Sequence, residues 1–399
     1  MDRGDILPFH AFLWKIASRC NLDCTYCYVY HSSDQRWRLQ PKLMSEEVAR
    51  QTALRMREHL ESHGKRDAVI TFHGGEPLLG GVRHLEMLHS VIAEVLPSPE
   101  FDIRLTMQSN GLLFTEEIGD LLLSMGVTYG TSLDGPPEIN DVYRVDHRGN
   151  ACSDQLVPKL ELIFSRRYRS LKPGILTVIN PDVDAVEVSE YLFSFHPESV
   201  DFLFPLDNHD RLPKGKEKGY RFAAPYGEWL VAAFDYWWVR GKPVPVRAFN
   251  SILNMLCDAP SLVESLGLGE ADMIVVETNG EIEAVDALKT TFDGATALGY
   301  DVFTHDFDTA ATHLKVKRRQ VGIDAVCQTC RECPLVEVCG GGYLPHRYSS
   351  RNGFDNPSVY CLDLEILINH IHAKLRSALR AEGGELLRTL VEPAQGASP

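Results

Sequence analysis

Six short apolar or β-branched runs recur through the first half of the chain, with helix-like segments between them. The runs are "AFLWKIA", "DAVITFHG", "DIRLTMQSN", "VTYGTSLDG", "GILTVIN" and "SVDFLFP". The spacers are "SEEVARQTALRMREHLESHG", "VRHLEMLHSVIAEVL", "TEEIGDLLLSMG", "QLVPKLELIFSRRY" and "DAVEVSEYLFSF". Ser45 stands where a helix N-cap belongs, and Gly64 where the first helix should stop. Strands that alternate with helices argue for a parallel sheet, open or curled into part of a barrel. The expected fold class is therefore α/β. In such folds the chemistry gathers at the C-terminal ends of the strands.

The second half reads differently. Residues 209–220, "HDRLPKGKEKGY", are polar and rich in Gly and Pro, as expected of a loop that closes a first domain. Two helical patterns follow, "YGEWLVAAFDYWWVRG" and "VRAFNSILNML", and Asn279-Gly280 between β-rich flanks signals a hairpin. Residues 362–381 read as a final helix, and "VEPAQGASP" as a mobile tail. With 399 residues, 44% of them hydrophobic, the chain is long enough for two or three domains. A net charge of −15 repels phosphate backbones, so no nucleic-acid partner is expected. The start "MDRGDILPFH" lacks signal-peptide features and no apolar run is long enough for a bilayer. The expectation is a soluble, cytoplasmic protein without a membrane partner.

Eight of the ten cysteines cluster. Cys20, Cys24 and Cys27 directly follow the first strand, in "SRCNLDCTYCYVY". Cys327, Cys330, Cys333, Cys339 and Cys361 lie near the C-terminus, and only Cys152 and Cys257 stand apart. In a reducing compartment, clustered thiols point to metal more than to disulfides. Three thiolates suit three irons of a four-iron cubane and leave the fourth iron open. The alternative is a zinc site completed by His31. For the C-terminal group, four-cysteine zinc and an iron–sulfur cluster stand level on the residues alone.

"CNLDCTYCY" resembles the CxxxCxxC signature of radical S-adenosylmethionine (SAM) enzymes. "FHGGEPLL" is similar to their GGE motif, and "TMQSNG" and "SLDGP" resemble further motifs at successive strand ends. The resemblance implies a partial (β/α)6 barrel, like part of a TIM barrel, whose Cys20, Cys24 and Cys27 hold a catalytic [4Fe-4S] cluster. SAM would meet Tyr26, Gly74, Gly75, Glu76, Asn110, Ser132 and Arg144. Gly74 and Gly75 would admit a ligand close to the backbone, and the Glu76 carboxylate would accept from an ammonium group.

"CQTCRECPLVEVCGGGYLPHRY" with Cys361 resembles a SPASM domain, the auxiliary-cluster extension of peptide-modifying radical enzymes. Cys330, Cys333, Cys339 and Cys361 match one auxiliary [4Fe-4S] cluster, and Cys327 is surplus. Two cysteines of a second, inner cluster are replaced by Tyr343 and Val285, so one auxiliary cluster is expected; Cys257 is its remnant or a buried small side chain. The implied domains are 1–215 (radical SAM), 216–270 (helical bridge), 271–370 (SPASM) and 371–399 (helix end and tail). "QPKLMSEE", "HGGEPLL", "PVPVRAFNSI", "ESLGLGEADMIVVETNGEIEAVDALKT" and "RNGFDNPSVYC" together carry a narrower resemblance, to the cyclophane-forming maturases of the FxsB type. It implies an aromatic-carbon to β-carbon cross-link in a ribosomally made precursor peptide, with electrons from an external flavodoxin- or ferredoxin-type donor. Other SPASM reactions, a thioether or ether cross-link or formylglycine formation, are the alternative. Some ten residues before the first strand are too few for a folded recognition module, so the leader is expected on the barrel, the bridge or the hairpin edge. Asp286 matches the catalytic base of sulfatase-maturing relatives. It is expected to have a raised pKa and to take the proton released on rearomatisation, unless it caps a turn or pairs with Lys289.

Overall fold

A computed structural model describes residues 6–381. The chain order begins β1 (Ala11–Ala17), α1 (Glu46–Ser62), β2 (Asp67–Gly74), α2 (Gly81–Val95), β3 (Asp102–Ser109), α3 (Glu116–Ser124) and β4 (Thr128–Ser132). It continues α4 (Pro137–Asn140), α5 (Ser153–Ile163), β5 (Gly174–Val178), α6 (Ala185–Ser194) and β6 (Val200–Leu203). The six expected strands all form. Helix α7 (Pro225–Val239) and α8 (Arg247–Met255) follow, then β7 (Met273–Val276), β8 (Glu281–Glu283) and β9 (Ala297–Asp301). Short helices α9 (Phe307–Ala311), α10 (Leu314–Lys317), α11 (Gln328–Arg331) and α12 (Val336–Cys339) precede the long α13 (Cys361–Ala381). The expected tail beyond residue 381 lies outside the described residues.

The chain divides into two compact units. The first comprises residues 1–177, 191–198 and 271–321; the second comprises 178–190, 199–270 and 322–399. The expected 271–370 segment is thus shared between them, because the hairpin region joins the first unit's sheet. That sheet runs β5-β4-β3-β2-β1-β7-β8-β9. Strands β1 to β5 pair in parallel, β7 pairs in parallel with β1, and β8 and β9 add antiparallel. Gly280 at φ 90° makes the expected hairpin turn between β7 and β8.

Each strand has two unlike faces, as period-two alternation requires. Phe12, Trp14, Ile16, Ile70 and Phe72 are fully buried. Phe12 packs edge-on against His59 of α1 and tilts onto Phe307 of α9. At roughly 1.5–3 kcal/mol per fully buried side chain, this apolar face is a main contributor to the unit's stability. The opposite face is polar. Lys15 and His73 are register partners on β1 and β2, while Thr106 bonds Thr71 and Gln108 bonds Ser132. Ser45 caps α1 by accepting from the Val48 N–H at 3.2 Å, and Thr115 caps α3 in the same way.

In the second unit α7 packs on α13. Their junction is an ion pair that the sequence did not announce. Lys216 and Asp363 are fully buried 2.5 Å apart. Asp363 Oδ1 also accepts from the Tyr226 and Gly227 N–H groups at the start of α7. The stretch read as a polar loop therefore has one anchored residue in its middle, Lys216, whose ammonium also donates to the Tyr220 carbonyl.

Candidate functional site

The strand end of β1 leads straight into Cys20. The GGE segment packs against that exit, backbone on backbone. The Gly75 N–H donates to the Ala17 carbonyl at 2.8 Å, and the Glu76 N–H to the Arg19 carbonyl at 2.9 Å. A Cβ on Gly74 would overlap the Ala17 carbonyl oxygen, and one on Gly75 would overlap Tyr30 Oη and the Arg19 carbonyl. The two glycines are therefore required by the chain's own packing, whatever ligand approaches them.

Glu76 is bound within the chain. Its carboxylate is fully buried and takes three donors of the protein: the Leu78 N–H at 2.9 Å, the Ser109 hydroxyl at 2.8 Å and the Asn110 N–H at 2.8 Å. Burial raises its pKa while those hydrogen bonds lower it, with a net rise. A buried acid must be satisfied locally, and through these three donors the carboxylate ties β2 to β3. Asn110 in turn donates to Asn21 at 2.8 Å and approaches Cys20 Sγ at 3.6 Å.

Tyr26, Asp134 and Arg144 form a chain beside the cysteines. The Tyr26 hydroxyl donates to Asp134 at 2.5 Å and accepts from Arg144 at 3.0 Å. Arg144 is buried, its Nε lacks a hydrogen-bond partner, and its charge faces Cys24. An orphaned buried guanidinium atom fits an anionic ligand that would complete it. Ser132 is held by Gln108 on the polar face. His31 is 42% exposed and bonds Asp23 at 2.8 Å.

The three thiols suit a cation. Burial, then Glu76, pushes Cys20 up to about 12, and Cys24 and Cys27 add to the rise. Cys27 stands at about 11 for the same first reason, burial. Thiols in such a setting ionise only when a metal compensates the charge. In the second unit a cavity of about 270 Å³ is lined by Cys330, Cys333, Cys339 and Cys361 together with Arg221 and Glu365. Burial raises Cys339 to about 12, with Cys361 next. Four thiols around one cavity fit a cubane. Cys327 packs beside Cys330 with Val326 but does not line that cavity, and neither does Cys257.

Asp286 is the largest departure. It is 4% exposed, 2.5 Å from the Lys15 ammonium and 2.8 Å from the Tyr28 hydroxyl, with Lys289 at 3.8 Å. Lys289 also bonds Glu277 at 2.9 Å and lies 3.1 Å from Glu283, while Arg36 closes the far end on Glu283 and Glu281. Burial alone would raise the Asp286 carboxyl, but Lys15, Lys289 and His73 outweigh it and hold it well below the usual range. The expected raised pKa is thus corrected: two buried ammonium groups stabilise the carboxylate form. Glu283 carries the raised carboxyl instead, at about 7, from burial against the pull of Lys289.

The model of the radical SAM superfamily matches residues 14–188. A protein of Methanothermobacter thermautotrophicus that carries no functional name is 33% identical over 232 residues, covering 58% of this chain and 76% of that protein. The chain belongs to the radical SAM superfamily. A cysteine-type anaerobic sulfatase-maturating enzyme of Clostridium perfringens is 25% identical over 359 residues, 89% of this radical SAM protein and 94% of the relative. The fold is shared with native anSMEcpe bound to AdoMet and the Cp18Cys peptide, at a TM-score of 0.77 and 23% identity over 93% of this chain and 99% of that one. It is shared more distantly with Streptococcus suis SuiB bound to precursor peptide SuiA, at a TM-score of 0.58 and 13% identity over 90% of this chain and 77% of that one. As a radical SAM enzyme the protein uses SAM and [4Fe-4S] chemistry. No helix among the described residues is long and apolar enough to cross a membrane.

Proposed function

We propose that this enzyme is a peptide maturase that forms an intramolecular carbon–carbon cross-link, aromatic ring carbon to β-carbon, in a ribosomally made precursor. The observation that carries the reading is Val285, next to the Lys15–Asp286 clamp. Where sulfatase-maturing relatives use a cysteine ligand and a basic aspartate, this chain has an apolar side chain and a carboxylate neutralised by two lysines. A carboxylate held by two lysines is a weak proton acceptor for formylglycine chemistry and for rearomatisation alike, so the ring proton of the cross-link would leave through another group. What sets this chain apart from those relatives is Val285 in place of the cysteine ligand.

Cys20, Cys24 and Cys27 would hold the catalytic cluster, and Cys330, Cys333, Cys339 and Cys361 one auxiliary cluster. With SAM bound, the catalytic cluster supplies a 5′-deoxyadenosyl radical that removes a hydrogen atom. The protein's own contribution is placement. Arg144, fixed by Tyr26, presents its buried positive charge toward the cysteine loop. Asn110 holds Asn21 and Cys20, and the Gly74-Gly75 contact fixes the loop's exit. The auxiliary site stands as the electron acceptor or as structure, and an acidic flavodoxin- or ferredoxin-type protein as the electron source.

The similarity to sulfatase-maturating enzymes supports a second reading, oxidation of a cysteine or serine to formylglycine. Mass spectrometry separates the two. An aromatic-containing precursor that loses two hydrogens, with deuterium lost from a β-carbon, supports the cross-link. Conversion of a cysteine-containing sulfatase peptide with loss of sulfur would replace this reading with the second.

A further inference from the structure

The segment that follows the cysteine loop departs from the charge of the whole chain. The protein holds 55 acidic against 40 basic residues, yet residues 35–45, "QRWRLQPKLMS", carry three cations and no carboxylate. Arg36 is used internally, paired to Glu281 and Glu283. Arg38 and Lys42 are exposed, and among the described residues no carboxylate pairs with either. Between and beside them Leu39 is 85% exposed and Leu43 36% exposed. A large apolar side chain at that exposure, flanked by cations without a carboxylate partner, has the composition of a contact surface more than of a solvated loop.

The segment is stitched to the exit of β1. The Ser18 N–H donates to the Lys42 carbonyl at 3.0 Å, the Ser18 hydroxyl to Pro41 at 2.5 Å, and Ala17 bridges Leu43 antiparallel. Arg19, the residue before Cys20, donates to the carbonyls of Trp37 at 2.8 Å, Arg38 at 3.4 Å and Gln40 at 3.3 Å. Trp37 is fixed between two guanidinium groups, with Arg19 at 5.1 Å and Arg38 at 4.6 Å from its ring centroid. The patch is therefore rigidly continuous with the first cysteine. The acids that flank it in sequence are Asp34, buried and bonded to the Arg36 and Gly294 N–H groups, Glu46, already bonded to Arg50, and Glu47.

We infer that Arg38, Leu39, Lys42 and Leu43 form the docking surface for an acidic one-electron donor of the flavodoxin type, which delivers its electron to the cluster on Cys20, Cys24 and Cys27. The inference rests on that cluster assignment. Charge complementarity selects the occupant: an otherwise acidic enzyme needs one local basic face to attract an acidic redox protein, and such encounters use small, charge-steered contacts. The apolar Leu39 supplies the desolvated centre, and the two cations supply the rim.

The test compares wild type with Arg38→Glu/Lys42→Glu, the milder Arg38→Gln/Lys42→Gln, and a control, Lys65→Glu/Lys159→Glu, that changes net charge elsewhere. Each reconstituted protein is titrated with immobilised bacterial flavodoxin by surface plasmon resonance, and SAM cleavage is driven separately by reduced flavodoxin and by dithionite. The inference expects flavodoxin affinity and flavodoxin-driven cleavage to fall roughly tenfold or more in the reversed pair. It also expects a smaller loss in the neutral pair, weakening with added salt in wild type, and dithionite-driven cleavage and iron content unchanged. Equal losses in the control and the reversed pair would overturn it, as would unchanged flavodoxin binding with lost affinity for the precursor peptide. Loss of iron at the first site in wild type would instead overturn the cluster assignment.

Discussion

Lys15 Nζ and Asp286 Oδ1 lie 2.5 Å apart, although 271 positions separate them in sequence. One comes from the middle of the first strand and the other from the turn after the hairpin, and both are buried. Removing one partner of a buried pair strands the other. Lys15→Met should therefore cost about 3–5 kcal/mol in urea unfolding of the reconstituted protein. The double variant Lys15→Met/Asp286→Leu should recover much of that loss. Additive losses in the double variant would mean that the two groups do not act as a pair.

The same pairing changes what Asp286→Asn should do. A carboxylate already neutralised by lysine is a poor proton acceptor. Deoxyadenosine release and cross-linking should fall together and by less than about tenfold, through lost stability. A general base would lose about a hundredfold or more in cross-linking alone. Product ratios by liquid chromatography and mass spectrometry decide between these.

Metal content separates the two cysteine groups. Wild type should hold about eight irons, four per cubane. Cys20→Ala/Cys24→Ala/Cys27→Ala should retain about four and release no deoxyadenosine. Four irons with one zinc in wild type would assign the C-terminal cavity to zinc.

Gly75→Ala tests the packing of the GGE segment. The added methyl group meets Tyr30 and the Arg19 carbonyl beside Cys20, and backbone there has no room to give. Iron at the first site should fall at least severalfold while the second site stays loaded. Full loading at both sites would show that the loop accommodates the methyl group.

His346 sets a pH dependence in the second unit. It is 3% exposed, and burial pushes its pKa down to about 3 from an ordinary 6.5. Between those values the unfolded chain binds more protons, so stability is complete above about pH 6.5 and declines as pH falls. The loss should be on the order of 2 kcal/mol by about pH 5. His346→Phe should flatten that slope in denaturant titrations at a series of pH values.

The strand–helix alternation, the hairpin and both cysteine groups were legible because each is a local pattern. The CxxxCxxC spacing and the Asn279-Gly280 turn sit within a few residues of themselves. What sequence could not place were partners joined only by folding. Lys15 in "AFLWKIA" was the available signal, since a lysine inside an apolar strand needs a buried counter-charge. Its partners Glu277 and Asp286 lie far down the chain. Likewise Glu76 was readable as a motif residue but not as the tie between two strand ends, and Lys216 looked like one more polar loop residue beside Lys214 and Lys218.

The Lys216–Asp363 pair has a practical consequence for preparing the protein. Asp363 stands two residues after Cys361, on the first turn of the helix that Cys361 begins, so the strand of chain from 213 to 222 is pinned to the rim of the thiol cavity. Lys214, Lys216, Lys218 and Arg221 are four tryptic sites within that stretch, and Lys216 is the pinned one. If the start of that helix loosens when Cys361 carries no metal, the pin is released and the stretch can enter the protease. Brief trypsin treatment would then clear unloaded molecules from a mixed preparation and leave the loaded fraction whole.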